Sequence, residues 1–481
     1  MRRGKRFGLA LLATAVTFYA LAYFAPLSVG DAAVFLLLVA LTGQRIRPFL
    51  LVLASSVQDA PGMSYLWSYI CFAGIALLLV AEYMVRRVAT SRANSDPSVE
   101  RLVLFAGIVV AYAIAMSALQ VHLHGYPQSD GRPYLAVGGL IIVMIVTGYV
   151  TSAVLGADEG DRRRLGFLAG GALAHALLVG LMQIPFGQEF YRSGDNLAKV
   201  EMSRQLVEEG ALGFARINGP FLSPNAFGYT ILLFALMVVV TLWKSARTRA
   251  FIFYVIAGGA AVTLSLSKAL LGYYGLAVLV QFRYLAGRLA TTLAVAVAGI
   301  GVLLFTSTQF YELLLAVFRV QQGGLGSRQW VWLAVLRELQ PQDWIFGVGL
   351  SAWPLFFEHY VGIALSDPHS LLLSVAGTFG IAGVLFYVLL VTTLLRRIGT
   401  SRTEEERVAI YLLLLLFLLK DLVSIPAVLG NTPLTFQVWL LLGLSIAHWR
   451  PVPARSGATS PVAGKPEPGS AVATGTPLAN G

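Results

Sequence analysis

The sequence predicts an all-α, polytopic membrane protein, and three observations predict it. Of its 481 residues, 57% are hydrophobic and only 12% are charged, against about 25% charged in a soluble globular chain. Apolar runs of about 20 residues, the length that spans a bilayer, recur from one end of the chain to the other. Basic residues sit in short clusters between these runs, as in the cytoplasmic loops of membrane proteins. The net charge of +11 is therefore a matter of membrane orientation, not of nucleic-acid binding.

The opening MRRGKR precedes an apolar stretch, 7–27, that is too long for a signal peptide and has no convincing cleavage site. It reads as a first span with the N-terminus in the cytoplasm. Further spans are expected at 31–44, 64–85, 102–121, 134–155, 165–186, 224–243, 250–266, 268–282, 289–306, 370–394, 408–427 and 434–449. Gln58 and Asp59 interrupt segment 49–62. Counted as a crossing it gives 14 transmembrane helices; with 31–62 as a hairpin that does not cross, the number is 12.

The basic clusters are Arg2 to Arg6, Arg45 with Arg47, Arg86 to Arg101, Arg162 to Arg164, Lys244 to Arg249, Arg283 to Arg288, Arg396 to Arg407, and Arg450 onward. The positive-inside rule assigns all of them to the cytoplasm. Two long segments then face outward, 187–222 and 307–369, and loops of that length are uncommon without a role. Residues 1–450 form the membrane domain. Residues 451–481, rich in Pro, Gly, Ala, Ser and Thr, read as a disordered cytoplasmic tail. The single cysteine, Cys71, lies in an apolar run. It excludes an intrachain disulfide and a cysteine-based zinc site.

Four helix starts are expected at the outer face, each with a distinctive polar residue. In ARINGPFLSPNAFGY, Ser223 can cap, Pro224 fits the first turn, Asn225 follows, and Arg216 lies just upstream. In TLSLSKALLGYYG, Ser267 sits in a short turn and Lys268 opens the next span. In GLGSRQWVWLAVLRELQP, Ser327 precedes an amphipathic helix of about 13 residues. Its expected apolar face is Val331, Leu333, Val335, Leu336 and Leu339, with Arg328 in the first turn. In LSDPHSLLLSVAG, Asp367 is an N-cap, Pro368 suits the first helical position and His369 falls in the first turn.

Cations are unfavourable at the positive end of a helix dipole, so their recurrence there points to an anion that completes the site. Free N–H groups joined by Arg and Lys suit a phosphate or pyrophosphate. The same dipole favours neutral His369, the form a general base needs. Taken singly, each of these residues also fits an interfacial polar group that snorkels toward lipid headgroups. Lys420 and Asp421 interrupt the apolar run 408–427, and charges at such depth usually face a partner or a cavity. His359, His122 and His124 face outward without comparable context, and His122 and His124 have no nearby acidic residue to complete a metal site.

In chain order, ARINGPFLSPNAFGY, TLSLSKALLGYYGL, GSRQWVWLAVLRELQPQDWIFGVGLSAWP and DPHSLLLSVAGTFGIAGVLFYVLLV resemble the O-antigen ligase and O-antigen polymerase superfamily. The resemblance covers roughly residues 210–400; the first 200 residues match in hydropathy alone. It implies a GT-C-like integral membrane glycosyltransferase of the bacterial inner membrane, with no metal and no cofactor. The donor would be a glycan on undecaprenyl pyrophosphate, and the active site would be periplasmic. A ligase passes the glycan to lipid A–core, and a polymerase passes it to another lipid-linked repeat unit. Carried onto these positions, the resemblance implies that Arg216 and Arg328, with Lys268, bind the pyrophosphate and that His369 activates the acceptor hydroxyl. Asn225, Asp367, Lys420 and Asp421 would support them. Ser267-Lys268 departs from the family's usual Ser-Arg, and lysine lacks the bidentate fork. A flippase for lipid-linked glycans is the competing class, although transporters usually bind at the bilayer midplane.

Overall fold

The computed structural model describes residues 46–55, 65–90, 97–124, 133–156, 158–187, 190, 217–221, 224–265, 268–283, 328–350, 352–362, 368, 370–401, 403–417, 428–430 and 433–446. All belong to the first of two units into which the chain divides, Met1–Trp449 and Arg450–Gly481. The spans expected at 7–27, 31–44 and 289–306, residues 418–427 of the span 408–427, and the tail 451–481 lie outside the described residues.

Regular structure among the described residues is helical. In chain order the helices are α1 (Arg47–Ala54), α2 (Tyr65–Thr90), α3 (Pro97–His124), α4 (Pro133–Gly156), α5 (Glu159–Phe186), α6 (Pro224–Ser265), α7 (Lys268–Arg283), α8 (Arg328–Glu338), α9 (Pro341–Phe346), α10 (Trp353–Val361), α11 (Leu371–Thr400), α12 (Glu404–Leu415) and α13 (Pro433–Ile446). Among the described residues, six segments are long and apolar enough to cross a membrane: Ser98–Leu119, Tyr134–Gly156, Glu159–Phe186, Pro224–Leu242, Arg247–Ser265 and Leu372–Thr400. The chain is a multi-pass helical membrane protein.

Two of those segments share α6, which is a helical hairpin and not one rod. A straight helix from Gly228 to Ser265 would be about 55 Å long at about 1.5 Å per residue. Yet Ser265 Oγ lies 2.9 Å from where a Cβ on Gly228 would stand, and Leu232 lies as close as 3.1 Å to the same position on Gly258. The two arms are therefore antiparallel, and the fold-back falls in the basic cluster Lys244 to Arg249, as the charge pattern requires.

Polar contacts tie the basic clusters together at one end of the bundle. Arg397 at the end of α11 donates to Ser98 Oγ at the start of α3, at 2.7 Å. Tyr149 Oη donates to Glu100 at 3.2 Å, and Arg47 pairs with Glu82 at 2.8 Å. Arg247, at the α6 fold-back, pairs with Glu404 at the start of α12. The starts of α6 and α11 and the outer arm end of α6 consequently lie at the opposite end, called here the motif end.

At the centre stands α13, buried along its whole length from Pro433 to Ile446. Lipid gives helices no hydrophobic reason to associate, so close packing of small residues decides. Gly148 of α4 meets α13 so tightly that a Cβ would stand 2.6 Å from Phe436 O and 2.7 Å from Trp439 Cβ. The doubtful segment 49–62 starts inside this core. Phe49, Leu51 and Val52 of α1 are buried, and Gln437 Nε2 donates to Ser55 O at 3.0 Å.

Candidate functional site

Two assemblies make up the motif end. The first surrounds the chain that follows Arg216. Ile217 N donates to Leu264 O at 3.0 Å, so residue 217 is tied to the last turn of α6, next to the turn that leads to Lys268. Gln183, only 2% exposed, clamps the following turn. Its Nε2 donates to Gly219 O and Phe190 O, each at 3.1 Å. Its Oε1 accepts from Gly219 N at 2.9 Å and Asn218 N at 3.3 Å. Gly219 has φ of 55° and packs on Phe227 of the first turns of α6. Asn225 is half-buried in the first turn of α6. Asn218 is buried, and its Oδ1 has no hydrogen-bond partner among the described residues.

The sequence reading missed Gln183. The signal was there: a lone amide in the apolar stretch LLVGLMQIPF. Gln183→Leu removes all four hydrogen bonds of the clamp, each worth about 0.5–1.5 kcal/mol net. The expected result is a clearly lower melting temperature of the purified protein in detergent. An unchanged melting curve would contradict the clamp.

The second assembly joins α8, α10 and the start of α11. Trp332 Nε1 donates to Pro368 O at 2.9 Å. This bond brings the second turn of α8, the helix that Arg328 opens, to the chain bordering position 369. It also corrects the expected helix start. The N-cap of α11 is Ser370, extended at φ −144° and ψ 128°, and the helix begins at Leu371. Asp367 is therefore not the N-cap, Pro368 is not at the first helical position, and position 369 precedes the helix. The Pro368 carbonyl is occupied by a distant indole, which local helix-start preferences cannot foresee. Ser374 N donates to Ser370 O at 2.7 Å. Ser374 Oγ is buried with no hydrogen-bond partner among the described residues.

The face of α8 also differs from expectation. Val331, Val335 and Leu339 are buried with Trp353, Phe356 and Phe357 of α10. Leu333 and Leu336, expected on the same face, are exposed. A spacing of four residues along the helix holds the buried side, whereas the periodicity put all five on it.

Beneath this assembly, loop 346–350 plugs a break in α11. Gly380 has φ 60° and ψ −151° inside α11. In an unbroken helix the carbonyls of Gly377 and Thr378 would accept from residues 381 and 382. Here they accept from Val348 N at 2.7 Å and Gly349 N at 3.1 Å. Gly347 and Gly349 have φ of 81° and 83°, a region open to glycine and rarely to other residues. Trp353 Nε1 donates to Thr378 Oγ1 at 2.7 Å. The Phe-Gly-x-Gly and Gly-x-x-Gly stretches that carried part of the resemblance thus meet each other, and their glycines serve a backbone junction.

Of the candidate residues, Asn225 is described in full; Lys268 and Arg328 are described as the first residues of α7 and α8. Arg216, Asp367, His369, Lys420 and Asp421 lie outside the described residues. Lys268 falls beside the first assembly and Arg328 in the second. No family model, curated protein or solved structure matches the chain.

Proposed function

We propose that the chain transfers a glycan from undecaprenyl pyrophosphate to an acceptor hydroxyl, as an O-antigen ligase-like enzyme acting on lipid A–core at the periplasmic face of the bacterial inner membrane. The fold in this reading is GT-C-like with 12–14 transmembrane helices. The observation that carries the reading is the Trp332–Pro368 hydrogen bond of 2.9 Å. It ties two stretches that the sequence reading singled out independently, one carrying a cation and one an imidazole. The Ile217–Leu264 bond of 3.0 Å does the same for the stretches carrying Arg216 and Lys268. Each assembly also holds a buried oxygen without a hydrogen-bond partner among the described residues, on Asn218 and on Ser374. Such groups call for an explanation, and a hydroxyl-rich substrate provides one.

In the proposed reaction His369 takes the proton of the acceptor hydroxyl as its oxygen attacks sugar C1. The bond from C1 to the carrier phosphate oxygen breaks, and the electron pair leaves with the lipid pyrophosphate. Arg216, Arg328 and Lys268 hold the charge that develops on that leaving group. Attack in line with the departing oxygen inverts C1. Asn225, Asp367, Lys420 and Asp421 are the supporting polar set.

Deleting the gene and analysing the surface glycan tests this. Lipid A–core bare of polymer, with polymer retained on the lipid carrier, is the expected outcome. Accumulated single repeat units would make the chain a polymerase of the same chemistry. Lipid-linked units trapped at the cytoplasmic face would replace the reading with a flippase.

A further inference from the structure

The sequence places all of 307–369 outside the bilayer, but the contacts of loop 346–350 lie on residues within two candidate spans. We propose that residues 341–350 form a re-entrant segment that dips into the membrane from the motif end and sets Ile345 and Phe346 among lipid acyl chains. This inference is independent of the glycan-transfer reading.

Depth is the first argument. Tyr112 Oη donates to Phe346 O at 2.9 Å. Tyr112 lies inside the candidate span Ser98–Leu119, about 10 Å from its motif end at about 1.5 Å per residue. On the other side, Phe346 and Gly347 touch Gly380, and a Cβ there would stand 2.8 Å from Gly347 N. Gly380 lies inside the span Leu372–Thr400, about 12 Å from its start. Two helices on opposite sides of the loop give the same level, well within a hydrocarbon core about 30 Å thick.

Backbone satisfaction is the second. Irregular backbone survives at that depth only where its polar groups are paired within the protein. The four successive N–H groups of the loop all have acceptors. Gly347 N donates to Asp343 O at 2.8 Å, and Val348 N and Gly349 N donate to the freed carbonyls of Gly377 and Thr378. Leu350 N donates to Ser117 Oγ at 2.6 Å. A loop in water has no need of so complete a set.

The exposed surface is the third. Ile345 and Phe346 are 50% and 52% exposed, at the deep end of α9. Apolar residues next to or one turn from the loop's contacts are exposed as well: Ile108, one turn along α3 from Tyr112, and Ile381 and Leu385, next to and just over one turn beyond Gly380 on α11. These belong to the lipid-facing sides of candidate spans, and the α9 tip continues that face. Asp343 sits away from the tip and turns its carboxylate back to cap Gln340 N at 3.0 Å.

Site-directed labelling tests the placement. The single cysteine makes a Cys71→Ser background simple. In it, Phe346→Cys and, as a water-exposed control, Glu358→Cys are treated in ruptured membranes with a polyethylene-glycol maleimide that reaches both faces. The expected result is a shifted band for Glu358→Cys and at least a tenfold slower reaction for Phe346→Cys, relieved by denaturing detergent. A small environment-sensitive fluorophore at Ile345→Cys, attached before reconstitution, should be quenched by doxyl-labelled lipids. Labelling of Phe346→Cys at the control rate would put the tip in water. Protection without quenching by any labelled lipid would mean that a protein covers it. Either result overturns the proposal.

Discussion

His369→Ala is expected to abolish glycan transfer while the chain still inserts and folds. A positioned general base contributes about 10²–10⁴-fold, so the loss is a near-complete defect rather than a slower enzyme. The structure gives a reason why folding should survive. The N-cap of α11 is Ser370, and the first turn closes through Ser374 N and Ser370 O at 2.7 Å. The preceding carbonyl, Pro368 O, is held by Trp332. None of these bonds uses the side chain at 369. The measurement is transfer of lipid-linked glycan to acceptor in membranes containing equal amounts of each variant. Near-normal product from the alanine variant would remove the base assignment, and with it the main chemical argument for the glycosyltransferase.

Hydropathy and charge carried most of the architecture. The spans near 102–121, 134–155, 165–186, 224–243, 250–266 and 370–394 correspond to six apolar helical segments. The fold-back of α6 sits on the basic cluster that marked it. This works because burying a span in lipid is a local property of about 20 residues. What the sequence could not disclose was set by partners far along the chain. Gln183 meets Gly219, Tyr112 meets Phe346 and Trp332 meets Pro368. In each case the partner lies far along the chain; for Gln183 the lone amide was visible locally, but what it holds was not.

The start of α11 shows the cost of a purely local reading. Asp-Pro is good helix-start chemistry, yet the helix waits for Leu371. On α8, an apolar residue belongs either to the protein core or to the surface, and periodicity does not separate the two. Val335 is buried and Leu336, its neighbour, is 58% exposed. For the candidate site, the sequence named the stretches that the backbone later pairs. It did not name the groups that do the pairing.

The junction between α11 and loop 346–350 carries the other large effect, expected for Gly380→Ala. At φ 60° and ψ −151° the backbone is in a region essentially confined to glycine, and a side chain there costs about 1–3 kcal/mol in strain. The new Cβ would also stand 2.7 Å from Phe346 C and 2.8 Å from Gly347 N. Both are backbone atoms, so no rotamer change can make room. Overpacking adds about 1–3 kcal/mol against a total stability of about 5–15 kcal/mol for a typical protein. Moving the loop instead would strip Val348 N and Gly349 N of their acceptors inside the membrane region, where water cannot replace them. The variant should therefore give little monodisperse protein on size-exclusion chromatography in detergent, and whatever survives should melt well below the parent. Gly107→Ala is the matched control, since a Cβ there meets nothing within 4 Å and alanine is the better helix former. A Gly380→Ala protein that elutes and melts like the parent would show that α11 is not broken where the junction requires, and the pairing of loop 346–350 with it would fall.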